Sequence, residues 1–187
     1  MAPLAATRLT YEDFVLFPDD GRRHEIIDGE HYVNAAPIPD HQRVLRALYF
    51  ALHVYLTDSK LGEVLASPID VVLSESDVVE PDLIVVLAAR AHVIGPRNVQ
   101  GPPDVVVEVL SESTRQYDEA VKRKLYDRAG VGEHWIADPA ARTVKIYRRA
   151  GAAFAPAELL TGGAVTSPLL PDFALDLAAI FAGTPRS

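Results

Sequence analysis

Gly101-Pro-Pro-Asp-Val-Val-Val-Glu-Val-Leu-Ser111 places one carboxylate, Glu108, inside an otherwise apolar run. An ionised group taken out of water requires a metal, a cation or several hydrogen bonds, or its pKa shifts until it is neutral. Val105, Val106, Val107, Val109 and Leu110 are apolar on both faces of an extended chain. The run therefore reads as a central strand with Glu108 near its C-terminal end. In open α/β sheets ligands bind at that end. Two blander readings stay open for this stretch alone: Glu108 pairs with a buried Arg or Lys, or it sits at a strand end in water.

Upstream, Val78-Val-Glu-Pro-Asp-Leu-Ile-Val-Val86 is the neighbouring strand region. Pro81 cannot donate to a sheet ladder, so the strand proper is expected to begin at Asp82. A second carboxylate then stands at the mouth of an apolar run, unless Asp82 merely caps the strand start. Downstream, Ser111 to Thr114 suit a loop and a helix N-cap, and a helix is expected from about Gln116 to Ala129, closed by Gly130. Asp118, Lys122 and Tyr126 fall at i, i+4 and i+8 and share one face, where Lys122 can pair with Asp118 as an ordinary solvated ion pair. Lys124 turns about 200° away from Lys122 at about 100° per residue.

The outer segments supply the frame. Thr10-Tyr-Glu-Asp13 has the form of a capping box, and Arg23 to Val33 reads as two strands around Asp28-Gly29, a strong hairpin signal. Glu25 lies on the first arm. Asp40 is positioned to cap a helix over about His41 to Thr57, whose Val44, Leu45, Leu48, Leu52, Tyr55 and Leu56 recur at helical spacing. Strands follow at 63–66 and 69–73, then an irregular connection over 88–100 with room for one helical turn. A hairpin spans Glu133 to Arg149, Phe154 to Leu160 adds strand, and an apolar tail carries a short helix near Asp176.

With 187 residues and 49% hydrophobic content, the chain is expected to form a single domain over 1–187. Absence of cysteine excludes disulfides and thiolate metal sites, leaving Asp, Glu, His, carbonyls and water as possible ligands. No apolar run approaches the roughly 18 residues of a membrane helix, and no basic segment followed by an apolar core opens the chain, so a cytoplasmic protein is expected. A formal net charge of -8 argues against simple coating of nucleic acid, but carboxylates gathered for a metal add negative charge that the metal neutralises. The six histidines show no zinc spacing, and Trp135 and Tyr126 read as core or site-wall residues.

Pro81-Asp82, then Glu108, then a lysine on the following helix is an ordered set that resembles the bacterial restriction-endonuclease-like family of the PD-(D/E)XK nuclease superfamily. The resemblance runs from Tyr11-Glu-Asp-Phe14 through His24-Glu-Ile-Ile-Asp-Gly-Glu30, Glu80-Pro-Asp82, Pro103 to Ser111 and Asp118 to Tyr126, ending at Ala129 to Pro139. It implies a mixed α+β fold, a central mixed sheet flanked by helices with extra hairpin strands, and Mg²⁺-dependent hydrolysis of DNA by a homodimer, with Mn²⁺ as a possible substitute. It also implies that Asp82 and Glu108 are the central metal ligands, joined by the carbonyl of Val109 and by Glu25. The superfamily's usual lysine position is Leu110 here, and its work is thought to pass to Lys122, with Lys124 the rival. Other readings are a catalytically idle binding module on the same fold and a metal-dependent phosphohydrolase acting on small substrates.

Overall fold

A computed structural model describes residues 8–34, 36–111 and 117–184. Helix α1 (Tyr11–Phe14) leads into the hairpin β1 (Arg23–Ile27) and β2 (Glu30–Asn34), and helix α2 (Pro39–Ser59) follows. Then come β3 (Gly62–Ala66), β4 (Val71–Ser74), β5 (Asp77–Val79), β6 (Leu83–Leu87), a 3-10 segment (Ala88–Val93), β7 (Val99–Gln100) and β8 (Val105–Val109). A π-helical turn (Tyr117–Lys122) runs into α3 (Arg123–Ala129). The chain continues through β9 (Glu133–Asp138), β10 (Thr143–Ala150), β11 (Ala153–Phe154), β12 (Glu158–Leu160), β13 (Ala164–Ser167), β14 (Leu170–Asp176) and α4 (Leu177–Ile180).

The local chemistry explains most boundaries. The Asp13 carboxylate accepts from the Thr10 N–H at 2.8 Å and from its hydroxyl at 3.0 Å. Asp28 (φ 54) and Gly29 (φ 78) occupy the left-handed region that a two-residue hairpin turn demands. Helix α2 starts two residues before the expected point because Pro39 takes the first helical position, where a missing N–H costs nothing. Asp40 therefore sits in the first turn, bonded to Arg43, instead of capping the helix. Gly130 (φ 91) closes α3.

Two sheets organise the molecule. One runs β11-β10-β9-β8-β6-β3 with β12 paired to β10, and the other runs β2-β1-β5-β4-β7. In the larger sheet β8 is parallel to β9 and antiparallel to β6, which makes it a mixed sheet with β8 in its interior. Alternation sorts the side chains between its faces. Leu83, Val85, Val105, Val107, Val109 and Trp135 pack with Val44, Leu48, Leu52 and Leu56 of α2. Ile84, Val86 and Val106 pack on the other face with Leu125 and Tyr126 of α3 and with residues of the smaller sheet. Glu108 and Asp82 share the parity of this second face.

The sequence run 78–86 divides at Pro81. Val78 and Val79 belong to a hairpin with β4 in the smaller sheet, whereas Leu83 onward joins the larger one. Glu80-Pro81-Asp82 is thus the crossing between sheets. At the far end of β6 from this crossing, β3 and β6 approach closely at Gly62, where a Cβ would lie 2.3 Å from the Val86 carbonyl oxygen. Gly62→Ala is expected to destabilise the fold by about 1–3 kcal/mol, as overpacking does, read as a lower urea midpoint at unchanged slope.

Candidate active site

Four charged side chains are buried where the two sheets meet: Glu25, Asp82, Glu108 and Lys122, each no more than 2% exposed. The β6–β8 register pairs Leu83 with Val107, and one further step brings Asp82 opposite Glu108. The Val109 N–H donates to Asp82 Oδ2 at 2.8 Å, fixing that carboxylate against β8. Glu25 reaches the same place from β1. Its Oε2 accepts from Asn34 at 2.8 Å and from the Tyr117 hydroxyl at 3.1 Å, and its Oε1 accepts from the Glu80 N–H at 2.8 Å.

Lys122 bridges two of the acids. Its Nζ lies 2.9 Å from Glu25 Oε1 and 3.1 Å from Glu108 Oε1, and the Tyr126 hydroxyl donates to the same Glu108 oxygen at 2.6 Å. Lys122 thus joins acids from two strands in a buried ion-pair set across three elements. Lys124 is exposed, whereas Lys122 and Tyr126 both turn to Glu108, as their spacing of four residues on one helical face allows. The side chain of Asp118, the N-cap expected at 111–114 and the helix start at Gln116 lie outside the described residues, except that Ser111 itself is described.

Asp82 has its own basic partners. Arg23 Nη1 lies 2.7 Å from Oδ1 and His41 Nε2 lies 2.9 Å from Oδ2. Burial raises the Asp82 carboxyl, but the His41 hydrogen bond and charge, Arg23 and the Val109 N–H together outweigh it and hold the group below the ordinary carboxylate range. Burial also lifts the hydroxyls of Tyr117 and Tyr126 above the usual tyrosine range, with the Glu25 charge next for Tyr117 and the Glu108 charge next for Tyr126. Both hydroxyls remain hydrogen-bond donors to the carboxylates.

A cleft of about 900 Å³ opens beside Asp82, walled by Arg22, Arg23, Asn34, His41, Ser67 and Glu80 among others. A model of the Uma2 family, described as "Putative restriction endonuclease", matches residues 11–178. The chain belongs to the Uma2 family. Among solved structures, a "putative nuclease belonging to DUF820" from Anabaena variabilis is similar to it with a TM-score of 0.80 at 17% identity, over 93% of this chain and 98% of that one. No curated protein matches. That structural likeness bears out the mixed α+β architecture with helices flanking mixed sheets.

In this Uma2 chain several site residues carry no local mark in the sequence. Arg23 and His41 stand at the starts of elements, and their partner Asp82 is 59 and 41 positions away. Glu80 is 7% exposed, and no hydrogen bond reaches its carboxylate. Burial, and then the charges of Asp70 and Glu25, push it up to about 7. Its one sequence signal is its position two residues before Asp82, which puts both on one side of an extended segment. Trp135 and Tyr126 are fully buried, which excludes them as surfaces for stacking bases.

Among the described residues, no group of three or more His, Asp or Glu side chains is arranged to hold a metal ion. The donor chemistry nevertheless fits a hard divalent cation. Three buried carboxylates converge there, and the Lys122 ammonium already places a positive charge between two of them. No helix among the described residues is long and apolar enough to cross a membrane.

Proposed function

We propose that this protein is a Mg²⁺-dependent endonuclease that hydrolyses DNA phosphodiester bonds. The observation that carries the reading is the convergence of Glu25, Asp82 and Glu108 on Lys122 and Arg23 beside an open cleft, in a chain of the Uma2 family. Asp82 and Glu108 would hold the cation, with Glu25 and the Val109 carbonyl as further ligands. When bound, Mg²⁺ or Mn²⁺ supplies Lewis-acid polarisation of the phosphate and a water of lowered pKa. The Val109 N–H and His41 keep Asp82 aimed. Tyr126 holds Glu108, and Asn34 and Tyr117 hold Glu25. Lys122, freed from one carboxylate, orients the attacking water or offsets charge that develops on the phosphate. Its buried position and two acidic partners favour it over exposed Lys124 for this role.

We place the enzyme in the cytoplasm as a homodimer, since a two-fold pair suits cutting both strands of a duplex. Phe50 and Val54, one turn apart on α2, remain 67% and 41% exposed and offer an apolar patch for such contact. Sedimentation equilibrium tests this part, and a monomer at micromolar concentration counts against it.

Calorimetric titration of Mn²⁺ or Mg²⁺ into wild type, Asp82→Ala and Glu108→Ala tests the metal site, alongside plasmid nicking that includes Lys122→Ala. Binding is expected to be lost in both carboxylate variants and nicking in all three, by at least about a hundredfold if each group acts in the transition state. A wild type that neither binds cation nor cuts nucleic acid leaves a binding module as the better account. Cleavage of nucleotides but not DNA points to a small-substrate phosphohydrolase.

A further inference from the structure

Arg23 is the one arginine or lysine among the described residues of the site that both touches a buried carboxylate, Asp82, and lines the cleft. Its contacts are unevenly distributed. Nη1 donates to Asp82 Oδ1 at 2.7 Å and reaches Ser67 Oγ at 3.3 Å and the Glu80 carbonyl at 3.4 Å. No hydrogen bond engages Nε or Nη2, and neither is sealed from solvent. Those two nitrogens form the edge of the guanidinium that matches two oxygens of one phosphate or carboxylate. One end of the group is thus anchored while the edge suited to a tetrahedral anion is left open.

A second feature of the same cleft points the same way. The start of α2 lines it through His41 and Gln42, preceded by Ala36 and Pro37. The helix is 21 residues long, and its N-cap, Ile38, supplies no side-chain hydrogen bond to the first turn. An uncapped helix N-terminus carries partial positive charge and unsatisfied N–H donors, which favour an anion. Arg22 adds an exposed charge at the rim, partly offset by Asp20 at 3.8 Å. Asp19, Glu80 and Asp82 are the acids on the walls. Asp82 also accepts from the Val109 N–H and is hydrogen-bonded to His41 Nε2, so Arg23 is not its sole partner and the Nε–Nη2 edge of the guanidinium stays open.

Resting on the endonuclease reading above, we infer that Arg23 grips the non-bridging oxygens of the substrate phosphate through its Nε–Nη2 edge. This makes Arg23 a catalytic residue beyond Asp82, Glu108 and Lys122, and it defines the cleft as the groove that receives the nucleic-acid strand. The anchored Nη1 fixes the guanidinium relative to Asp82, so phosphate and carboxylate are set in one frame before substrate arrives. Holding the reacting group in place in advance is a large part of catalysis of phosphoryl transfer.

The test is binding of a fluorescently labelled DNA duplex in Ca²⁺, read by polarisation, for wild type, Arg23→Lys, Arg23→Gln and Arg22→Gln, with a melting curve for each. Arg23→Lys keeps a cation beside Asp82 but loses the two-nitrogen edge. It is expected to melt near wild type and yet bind the duplex on the order of 10- to 100-fold more weakly, as loss of hydrogen bonds to a charged group implies. Arg22→Gln is expected to change affinity only a few-fold and to make its salt dependence shallower, as loss of one peripheral phosphate contact does. Wild-type affinity in Arg23→Lys shows that Arg23 is only the counter-ion of Asp82, and overturns the inference while leaving the nuclease reading standing. Should Arg23→Lys fold poorly, Arg23→Gln is read below its melting temperature with the same expectation. A wild type that binds and cuts no nucleic acid removes the endonuclease reading and this inference with it.

Discussion

Lys122→Met is expected to lower the stability of the protein by about 3–5 kcal/mol, the usual cost of removing one partner from a buried ion pair. The lysine is 1% exposed and stands between Glu25 and Glu108, which are themselves 0% and 2% exposed. Methionine keeps most of the side chain's length and volume, so cavity formation contributes little and the loss reports charge. Two buried carboxylates then face each other with hydrogen bonds but without the ammonium. Glu25 retains Asn34, Tyr117 and the Glu80 N–H, and Glu108 retains Tyr126. A cycle with Glu108→Gln should therefore be strongly non-additive, because the double variant removes a charge of each sign. Urea unfolding at pH 7 measures all four proteins. A second consequence separates a structural lysine from one that shares its carboxylates with a metal. A divalent cation that binds only the folded state stabilises it by mass action, and Mg²⁺ should raise the midpoint of Lys122→Met more than that of wild type, since no ammonium competes. A variant within about 1 kcal/mol of wild type, below the range for a broken buried pair, means that the lysine is not clamped as drawn.

That lysine also marks how far the sequence could be read. The strand around Glu108 was legible because an unbroken valine run admits few other placements, whereas the setting of Asp82 opposite Glu108 on one face of the sheet comes from the register of β6 against β8. The Asp28-Gly29 hairpin was legible because two consecutive left-handed residues leave little choice of turn. Lys122 was harder. Helical spacing sets which face it occupies, but not whether that face meets water, and its burial comes from Glu25 on a strand of the other sheet. The same limit hid Arg23 and His41, whose roles depend on a carboxylate far along the chain. The division of 78–86 between two sheets was partly visible in Pro81, which ends one ladder. The sequence does not say that the residues before it pair with β4 instead of continuing into β6. Long-range pairing decides each of these points, and hydrophobic period is a local signal.

His134→Phe is expected to make the protein more stable in acid, by a margin that widens as pH falls. His134 lies on β9 with no exposed surface, edge-on to Tyr126 at 4.9 Å, stacked on Tyr147 at 6.0 Å and near Phe154 at 6.5 Å. Neither ring nitrogen has a hydrogen-bond partner. Burial first, and then the charges of Lys122 and Arg123, depress its pKa from 6.5 to about 3. The direction of the linkage follows. Below pH 6.5 the unfolded chain binds a proton at this residue that the folded chain refuses until about pH 3, so folded stability is intact above 6.5 and declines through the interval. Each pH unit of that decline is worth about 1.4 kcal/mol at most, so wild type at pH 4 stands to lose on the order of 3 kcal/mol through this one ring. Phenylalanine cannot take up the proton, fits an aromatic cluster and removes two unsatisfied polar atoms, a change that can be neutral or stabilising by about 1 kcal/mol even at pH 7. Urea midpoints of the two proteins at pH 7, 5.5 and 4 provide the measurement. The many carboxylates of the chain titrate equally in both, so their contribution drops out of the difference and the ring remains. A gap between variant and wild type that stays constant from pH 7 to 4 would mean that the imidazole is protonated in the folded protein, with a partner for its charge beside Tyr126. The same site would then hold a cation within reach of the hydroxyl that supports Glu108.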